Sequence, residues 1–199
     1  PGPDEGAAGK GICGAEVMSG MRILIVSDTH RRDGNFRRVL EKTGPIDMLI
    51  HLGDTEGSES YFREWVDNDV CVIHVVRGNN DFFSFCDREK EISIGRYRAL
   101  LTHGHMYGVS LGTEGIKDEA RARKVDIVMY GHTHKPHLEY CRDGLVVLNP
   151  GSLSYPRQEG RKPSYMLMEL DRQGEAHFTI CYLEDEDWNQ ELEQMGIWG

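Results

Sequence analysis

A recurring pattern constrains the fold of this chain more than any other feature: apolar segments of strand length end in polar clusters of Asp, Asn or His. The first segment, residues 23–26 (Ile-Leu-Ile-Val), is followed by Asp28 and His30. Similar segments at 47–52 and 70–76 precede Asp54 and Asn79. Short continuous apolar runs bounded by turn residues are typical of buried strands. The pattern therefore predicts polar side chains gathered where buried strands end.

The segments between these strands predict helices. Apolar residues recur at helical spacing over 35–43, and a second helix over 58–67 would bury Tyr61, Phe62 and Trp65. A strand-helix-strand-helix-strand order favours a parallel α/β sheet. Sites in such sheets lie beyond the carboxyl ends of the strands, where the polar clusters here are found.

The second half of the chain is richer in predicted strands. Residues 89–94 and 97–102 flank Gly95 and Arg96, which predicts a hairpin. A charged helix over 113–124 precedes a strand over 125–130. Further strands are expected near 137–141, 145–148, 164–170 and 176–183. Two packed β-sheets with helices outside, an α/β arrangement, would fit both halves.

The chain length of 199 residues favours one domain, which we place at residues 21–199. Residues 1–20 are rich in Gly and Ala and lack a secretory apolar core, so we expect a disordered leader or tag remnant. Residues 184–193 are acidic. A solvated tail is favoured there over a terminal helix docked by Trp188 and Trp198.

Composition excludes some functions. The formal net charge is -10, so nucleic acid and anionic membranes have no general electrostatic attraction to the chain. An anionic substrate would need a local positive centre, which divalent cations would supply. The five cysteines, an odd number without a C-x-x-C motif, indicate reduced thiols and a cytoplasmic location. No apolar run in the sequence is long enough to span a bilayer. The sequence leaves homo-oligomer formation open.

Seven candidate ligands follow the predicted strands, and none is a thiolate. Seven ligands are more than one tetrahedral zinc ion can bind, and they suit two metals that share a carboxylate. Oxygen and nitrogen ligands favour Mn, Fe or Zn over Ca, and Ni is tolerated. Two cations about 3.5–4 Å apart are the usual device for displacement at phosphorus, with a shared water as nucleophile. The ligands are Asp28, His30, Asp54, Asn79, His103, His132 and His134.

The order of these motifs resembles the calcineurin-like metallophosphoesterases over residues 21–183. The motifs are D-x-H, G-D, G-N-x-D, H-G and G-H-x-H, and each follows a predicted strand. The small size and the stretches 103–105 and 149–152 look most like the short YfcE-like phosphodiesterase branch, whose fold is similar to Vps29. The resemblance implies a four-layer αββα sandwich and a phosphodiesterase acting on small phosphate esters.

The resemblance also implies roles for individual residues. Asp28, His30 and His134 would hold the first metal, and Asp54 would bridge the two metals. Asn79, His103 and His132 would hold the second metal. Asp54 and Asn79 would thereby act in catalysis, with manganese the favoured ion.

One position departs from the family pattern. Many members carry His after the Asn of G-N-x-D, where it protonates the leaving group, but here the residue is Asn80. An amide cannot act as a general acid, so we expect a preference for diesters with good leaving groups, or help from His105. Asp81 is expected to orient a ligand or catalytic group. Arg77 either faces a phosphate oxygen or is a surface arginine.

Other residues carry more ordinary interpretations. Single histidines on strands are expected to be core or surface residues, which we assign to His51, His74, His137 and His177, although His51 could support a ligand. Residues 149–152 form a turn or a wall of the site. Simple packing is favoured over a lid or partner surface for three aromatic residues, Phe82, Phe83 and Phe85.

Two functions therefore compete. The complete ligand set favours a dinuclear metal-dependent phosphodiesterase. The alternative is a Vps29-like protein-binding scaffold that retains metal with little or no activity, which Asn80 and the three phenylalanines motivate.

Overall fold

The computed structural model describes residues 20–66 and 69–184, and within them ten strands form two mixed five-stranded sheets. The strand order is β10-β9-β1-β2-β3 in the first sheet and β4-β5-β6-β8-β7 in the second. The strands are β1 (Arg22–Val26), β2 (Met48–His51), β3 (Val72–Val75), β4 (Glu89–Ile94), β5 (Tyr97–Thr102), β6 (Ile127–Met129), β7 (Pro136–Tyr140), β8 (Val146–Pro150), β9 (Ser164–Leu170) and β10 (Ala176–Tyr182).

Three α-helices lie in the described residues: α1 (Gly34–Thr43), α2 (Phe62–Trp65) and α3 (Glu114–Arg123). None of the helices in this part of the chain is long and apolar enough to cross a membrane. Lys124 ends α3 in a left-handed conformation, with φ of 55°. Its backbone N–H then caps the last carbonyls of the helix.

Three apolar clusters hold the two sheets and the helices together as packed layers. One fills the space between the sheets, joining Ile25 and Ile50 of the first sheet to Leu101 and Met129 of the second. A second covers the outer face of the first sheet, where Phe36 of α1 and Phe62 of α2 pack. A third places α3 on the outer face of the second sheet. Alternate residues of each strand face opposite sides, so both faces of each sheet are covered. The predicted α/β sandwich flanked by helices is confirmed.

Two local predictions were wrong, one for a helix and one for the burial of a strand. The helix expected over 58–67 is a 3₁₀ turn (Ser58–Tyr61) followed by the single-turn α2, and residue 67 lies outside the described residues. Val66 turns to an extended backbone conformation, which ends the helix. Of the three aromatic residues expected to be buried, Phe62 is buried and Trp65 is half-buried, but Tyr61, in the 3₁₀ turn, is 53% exposed.

The third apolar segment, residues 70–76, was expected to be a buried strand but is partly exposed. Its strand, β3, lies at an edge of the first sheet, where the described residues provide no neighbouring strand on one flank. Val72 of this edge strand is 45% exposed, and Val70, in the turn before the strand, is 80% exposed. The expected leader and the segment from residue 185 onward lie outside the described residues, so neither expectation is tested.

Candidate metal centre

The candidate ligands follow the carboxyl ends of five strands. In the first sheet β1, β2 and β3 run parallel, and in the second sheet β5 and β6 run parallel. Backbone hydrogen bonds join the loops after these strands: the N–H of Asp28 donates to Gly53 O at 3.1 Å, and that of Gly131 donates to His103 O at 3.2 Å. The N–H of His132 donates to Oδ2 of Asp28 at 3.1 Å, which links the two sheets.

Four residues form the first donor group: Asp28, His30, Asp54 and His134. One ligand atom from each lies within 4.8 Å of all the others. Nε2 of His134 is 3.1 Å from Oδ1 of Asp28. Nε2 of His30 is 3.7 Å from Oδ2 of Asp54. The arrangement brings carboxylates and imidazoles to one point, as a divalent cation requires.

The second donor group, Asn79, His103 and His132, also adjoins Asp54. Oδ1 of Asn79 is 3.1 Å from Nε2 of His103 and 2.9 Å from Nδ1 of His132. Nε2 of His103 is also 3.4 Å from Oδ2 of Asp54. One carboxylate oxygen of Asp54 therefore adjoins both donor groups.

Three of the histidines are held with Nε2 toward the centre. In each, Nδ1 lies next to an oxygen that can only accept, so Nδ1 carries the hydrogen and Nε2 presents its lone pair in the neutral ring. Metal-bound histidines commonly show this arrangement. The contacts are His30 to Oε1 of Glu56 at 2.7 Å, His103 to Leu52 O at 2.7 Å, and His134 to Tyr155 O at 2.8 Å.

The charges of the cluster favour a bound cation. Asp28 is fully buried, and its Oδ1 accepts no hydrogen bond of good geometry from the described residues, although Nε2 of His134 lies 3.1 Å away. Burial opposes ionisation of Asp54, yet hydrogen bonds from the protonated ring of His103 and from Asn80 hold its pKa well below the usual range. Burial also opposes protonation of His103, but hydrogen bonding to Asp54 and the charge of Asp28 raise its pKa to about 9. The cluster therefore stabilises positive charge, either as a proton or as a metal ion.

The backbone at the candidate ligands adopts a conformation that the sequence does not reveal. Five of the seven have positive φ angles although none is glycine. This left-handed region is uncommon for residues with a Cβ, and such strain clusters at functional sites. The residues are Asp28 at 56°, His30 at 47°, Asp54 at 57°, His132 at 67° and His134 at 58°.

Two glycines allow the loops to approach the ligands closely. A Cβ on Gly78 would lie 2.1 Å from Oδ1 of Asp54. A Cβ on Gly131 would lie 2.1 Å from Oγ of Ser27 and 3.0 Å from Oδ2 of Asp28. Any side chain at either position would displace a candidate ligand.

Asp81 supports the loops instead of joining the ligands. Its Oδ2 accepts hydrogen bonds from the N–H groups of Gly78 and Asp54, both at 2.7 Å. Its Oδ1 accepts from the N–H of Glu56 at 2.6 Å and from Oγ1 of Thr55 at 3.2 Å. The carboxylate thus fixes the loops after β2 and β3 relative to each other.

The segment 149–152 braces the site. Nδ2 of Asn149 donates to Gly131 O at 2.7 Å and to Oγ1 of Thr133 at 3.0 Å, within the G-H-x-H loop. Oγ of Ser152 donates to Asp28 O at 2.9 Å. These contacts favour the interpretation of this segment as a wall of the site.

Asn80 contacts the shared carboxylate directly. Its backbone N–H donates to Oδ1 of Asp54 at 2.8 Å, and its side-chain amide donates to Oδ2 at 2.7 Å. His105 lies at the edge of the second donor group, with its ring centroid 5.5 Å from that of His103. Burial, together with the charges of His103 and His132, lowers the pKa of His105.

Packing was the wrong expectation for the three phenylalanines. Phe82 is 77% exposed, Phe83 96% and Phe85 is fully exposed. The loop turns tightly here, since the N–H of Phe82 donates to Asn80 O and that of Ser84 donates to Asp81 O. The tight turn leaves the rings outside the core. Arg77 is half-buried and lines a recess beside Asn79.

Of the four histidines assigned ordinary roles, His51 is fully buried next to the site. Its Nδ1 accepts a hydrogen bond from Gly53 N–H, so Nε2 carries the hydrogen and donates to Oγ1 of Thr29 at 3.2 Å. Glu56, which contacts His30, was not predicted as a site residue from the sequence. The available signal was an acidic residue two positions after Asp54.

The chain is similar in sequence to several known proteins. The model for the calcineurin-like phosphoesterase superfamily domain matches residues 21–173. A probable metallophosphoesterase, YsnB of Bacillus subtilis, is 30% identical over 76% of this chain and 85% of its own length. Phosphodiesterase YfcE of Escherichia coli is 27% identical over 76% of this chain and 89% of its own. Vacuolar protein sorting-associated protein 29 of Schizosaccharomyces pombe is 28% identical over 75% of this chain and 85% of its own length.

The fold of the chain is also similar to that of a solved structure. A predicted phosphoesterase from Streptococcus pneumoniae superposes with a TM-score of 0.65 at 26% identity, covering 84% of this chain and 100% of its own. The matched region contains every candidate ligand. The chain belongs to the calcineurin-like phosphoesterase superfamily.

Proposed function

We propose that this protein hydrolyses phosphodiesters with two divalent metal ions. The observation that carries the proposal is the position of Asp54. Its Oδ2 lies 3.7 Å from Nε2 of His30 and 3.4 Å from Nε2 of His103, so one carboxylate serves both donor groups. The similarity to phosphodiesterase YfcE supports diesters as the substrate class.

The donor atoms divide into two sets that fit metal ions. Asp28, His30 and His134 would hold one ion together with Asp54. The second ion would be held by Asn79, His103, His132 and Asp54. Oxygen and imidazole donors without thiolate suit Mn, Fe, Zn and Ni, and manganese is the first to test. When bound, such a pair supplies Lewis acidity, which acidifies a water and neutralises phosphoryl charge.

The protein's own residues position these groups. Asn80 donates to both oxygens of Asp54 and so fixes the carboxylate plane. Asp81 acts as a positioning residue through the loops it joins. Burial and the charges of His103 and His132 lower the pKa of His105, so a smaller fraction of this imidazole carries the proton that a general acid must supply. Substrates with good leaving groups are therefore favoured, since they depart without a general acid.

Metal titration tests the proposal. Metal-free protein is titrated with Mn²⁺ while bound metal per chain and hydrolysis of bis(p-nitrophenyl) phosphate are measured. We expect two ions per chain, with activity that requires them. Asp54→Asn should lose at least a hundredfold in rate and bind less metal. Asp143→Asn, at an exposed carboxylate paired with Arg121, is the control and should behave as wild type. An inert metal-loaded protein, or an unchanged Asp54→Asn variant, would overturn the proposal.

A protein-binding scaffold is the second candidate, favoured by one observation. Phe83 and Phe85 present apolar rings to solvent at 96% and 104% exposure. Exposed apolar patches mark interaction sites in many proteins. Metal binding without turnover of phosphomonoesters, diesters and cyclic nucleotides would favour this candidate, and rapid turnover would exclude it.

We also propose a cytoplasmic location and a single domain over residues 21–199. The cysteines in the described residues are free thiols, as in reducing compartments: Cys71, Cys86, Cys141 and Cys181. The family match over residues 21–173 supports the start of the domain.

A further inference from the structure

A recess of about 290 Å³ lies beside the second donor group. We name it the Phe82–Met106 recess, and the residues that matter here are Arg77, Asn79, Phe82, Arg88, His105 and Met106. Its volume lies near the lower end of the range for small-molecule pockets, about 300–1,000 Å³. The space therefore suits one arm of a ligand.

Asn79 joins the recess to the candidate metal centre. The residue lines the recess, while its Oδ1 lies within 3.1 Å of His103 and 2.9 Å of His132. His105 also lines the recess, and its ring centroid is 6.1 Å from that of His132. A phosphoryl group at the centre would therefore carry one of its substituents into the recess.

Two apolar side chains form the walls. Phe82 is 77% and Met106 62% exposed, so both present apolar surface to water in the absence of ligand. An aromatic ring stacked on Phe82 would cover this surface, and the Met106 thioether can pack against the ring. The walls therefore favour an aromatic arm over an alkyl arm.

The charge of the recess is positive although the whole chain is acidic. Arg77 and Arg88 both line it, and neither forms an ion pair within the described residues. Nη1 of Arg88 lies 4.0 Å from Sδ of Met106, which places this guanidinium group beside the apolar wall. Asp81 also lines the recess, but both of its oxygens already accept hydrogen bonds from the loops. A second anionic group on the ligand would meet two guanidinium groups.

We propose that the Phe82–Met106 recess binds the aromatic arm of the substrate, and that Arg77 and Arg88 bind a further anionic group on that arm. The substrate class is then a phosphodiester of a nucleoside or similar aromatic alcohol that carries additional phosphate. This inference rests on the proposed function, because the metal centre anchors the phosphoryl group. Phe82 is a specificity-determining residue in this arrangement.

Equilibrium binding tests the inference without requiring turnover. Calorimetry on the manganese-loaded protein compares methylphosphonate with benzylphosphonate, and adenosine 5′-monophosphate with adenosine 3′,5′-bisphosphate. Wild type should bind the benzyl compound about tenfold more tightly than the methyl compound, as stacking on one aromatic side chain provides. Phe82→Ala should abolish this preference and Phe82→Leu should reduce it. Arg88→Gln should reduce the preference for the bisphosphate and leave the benzyl preference unchanged.

Phe85→Ala is the matched control, since Phe85 belongs to the same loop but does not line the recess. It should bind all four ligands as wild type does. A benzyl preference that survives in Phe82→Ala, or falls equally in Phe85→Ala, would overturn the inference, as would absence of benzylphosphonate binding. Activity on diesters is measured separately. An inactive protein that shows the Phe82-dependent preference would contradict the proposed function but support the recess as a binding site.

Discussion

Nδ1 of His30 lies 2.7 Å from Oε1 of Glu56. The partner of this Nδ1 differs in kind from the partners of the other two site histidines that are held through Nδ1. His103 and His134 donate to backbone carbonyls, whereas His30 donates to a carboxylate. A carboxylate partner orients the ring and increases its basicity as a ligand. The N–H of Glu56 is itself held by Asp81 at 2.6 Å, so the partner is fixed in place.

Glu56→Gln should therefore weaken manganese binding by about 10- to 100-fold, the usual effect of losing such a partner. The measurement is competition with a metal-sensitive dye at fixed pH. Glu59→Gln serves as control, because Glu59 accepts from Thr55 at 2.5 Å and contacts no candidate ligand. Equal affinity in the Glu56→Gln variant and in wild type would contradict the assigned role.

Gly78→Ala should disrupt the site, because the new Cβ would lie 2.1 Å from Oδ1 of Asp54 and 2.4 Å from its backbone N. Backbone cannot yield as a flexible side-chain end can, so the loop after β2 must move. We expect at least a tenfold loss of metal affinity and a lower melting temperature. Gly34→Ala is the control, since a Cβ at Gly34 contacts nothing within 4 Å and α1 tolerates alanine. A Gly78→Ala variant with normal metal affinity would contradict the close approach.

The position of Asn80 predicts how a general acid would change catalysis. Its amide donates to Oδ2 of Asp54 at 2.7 Å, so a side chain at this position reaches the centre. Asn80→His should raise the hydrolysis rate of alkyl diesters relative to aryl diesters, by up to about a hundredfold, because poor leaving groups need a proton. Steady-state rates with methyl p-nitrophenyl and dimethyl phosphate measure the ratio. Asn80→Gln controls for altered packing and should not raise it. An unchanged ratio in Asn80→His would refute the acid argument.

The strand ends and their polar residues were predictable from sequence because buried parallel strands leave a local signal. Residues 89–94 and 97–102 became β4 and β5 at these same boundaries, since the hairpin is specified by neighbouring residues. The exposure of Val72 was not predictable, because strand order depends on distant pairings. The left-handed backbone at Asp28 and the contact of Glu56 with His30 likewise depend on the assembled loops.

His51 should make the metal-free protein less stable in acid. Burial lowers its pKa from 6.5 to about 4, against the raising effect of the Asp81 and Asp28 charges. Above pH 6.5 the ring is neutral in both the folded and unfolded states, so this stability is fully present. As pH falls from 6.5 toward 4, the unfolded chain binds a proton that the folded chain rejects. The free energy of unfolding should then fall by about 3 kcal/mol from this residue.

Urea unfolding in the presence of chelator, at pH 7.5 and pH 4.5, measures the effect. His51→Gln should be less stable than wild type at pH 7.5, because it loses the packing of the ring against Phe62. Its loss of stability between the two pH values should nevertheless be smaller than that of wild type by about 2–3 kcal/mol. His177→Gln, at an exposed histidine on β10, should retain most of the wild-type pH dependence. An equal pH dependence in His51→Gln and wild type would show that the acid sensitivity arises from other groups.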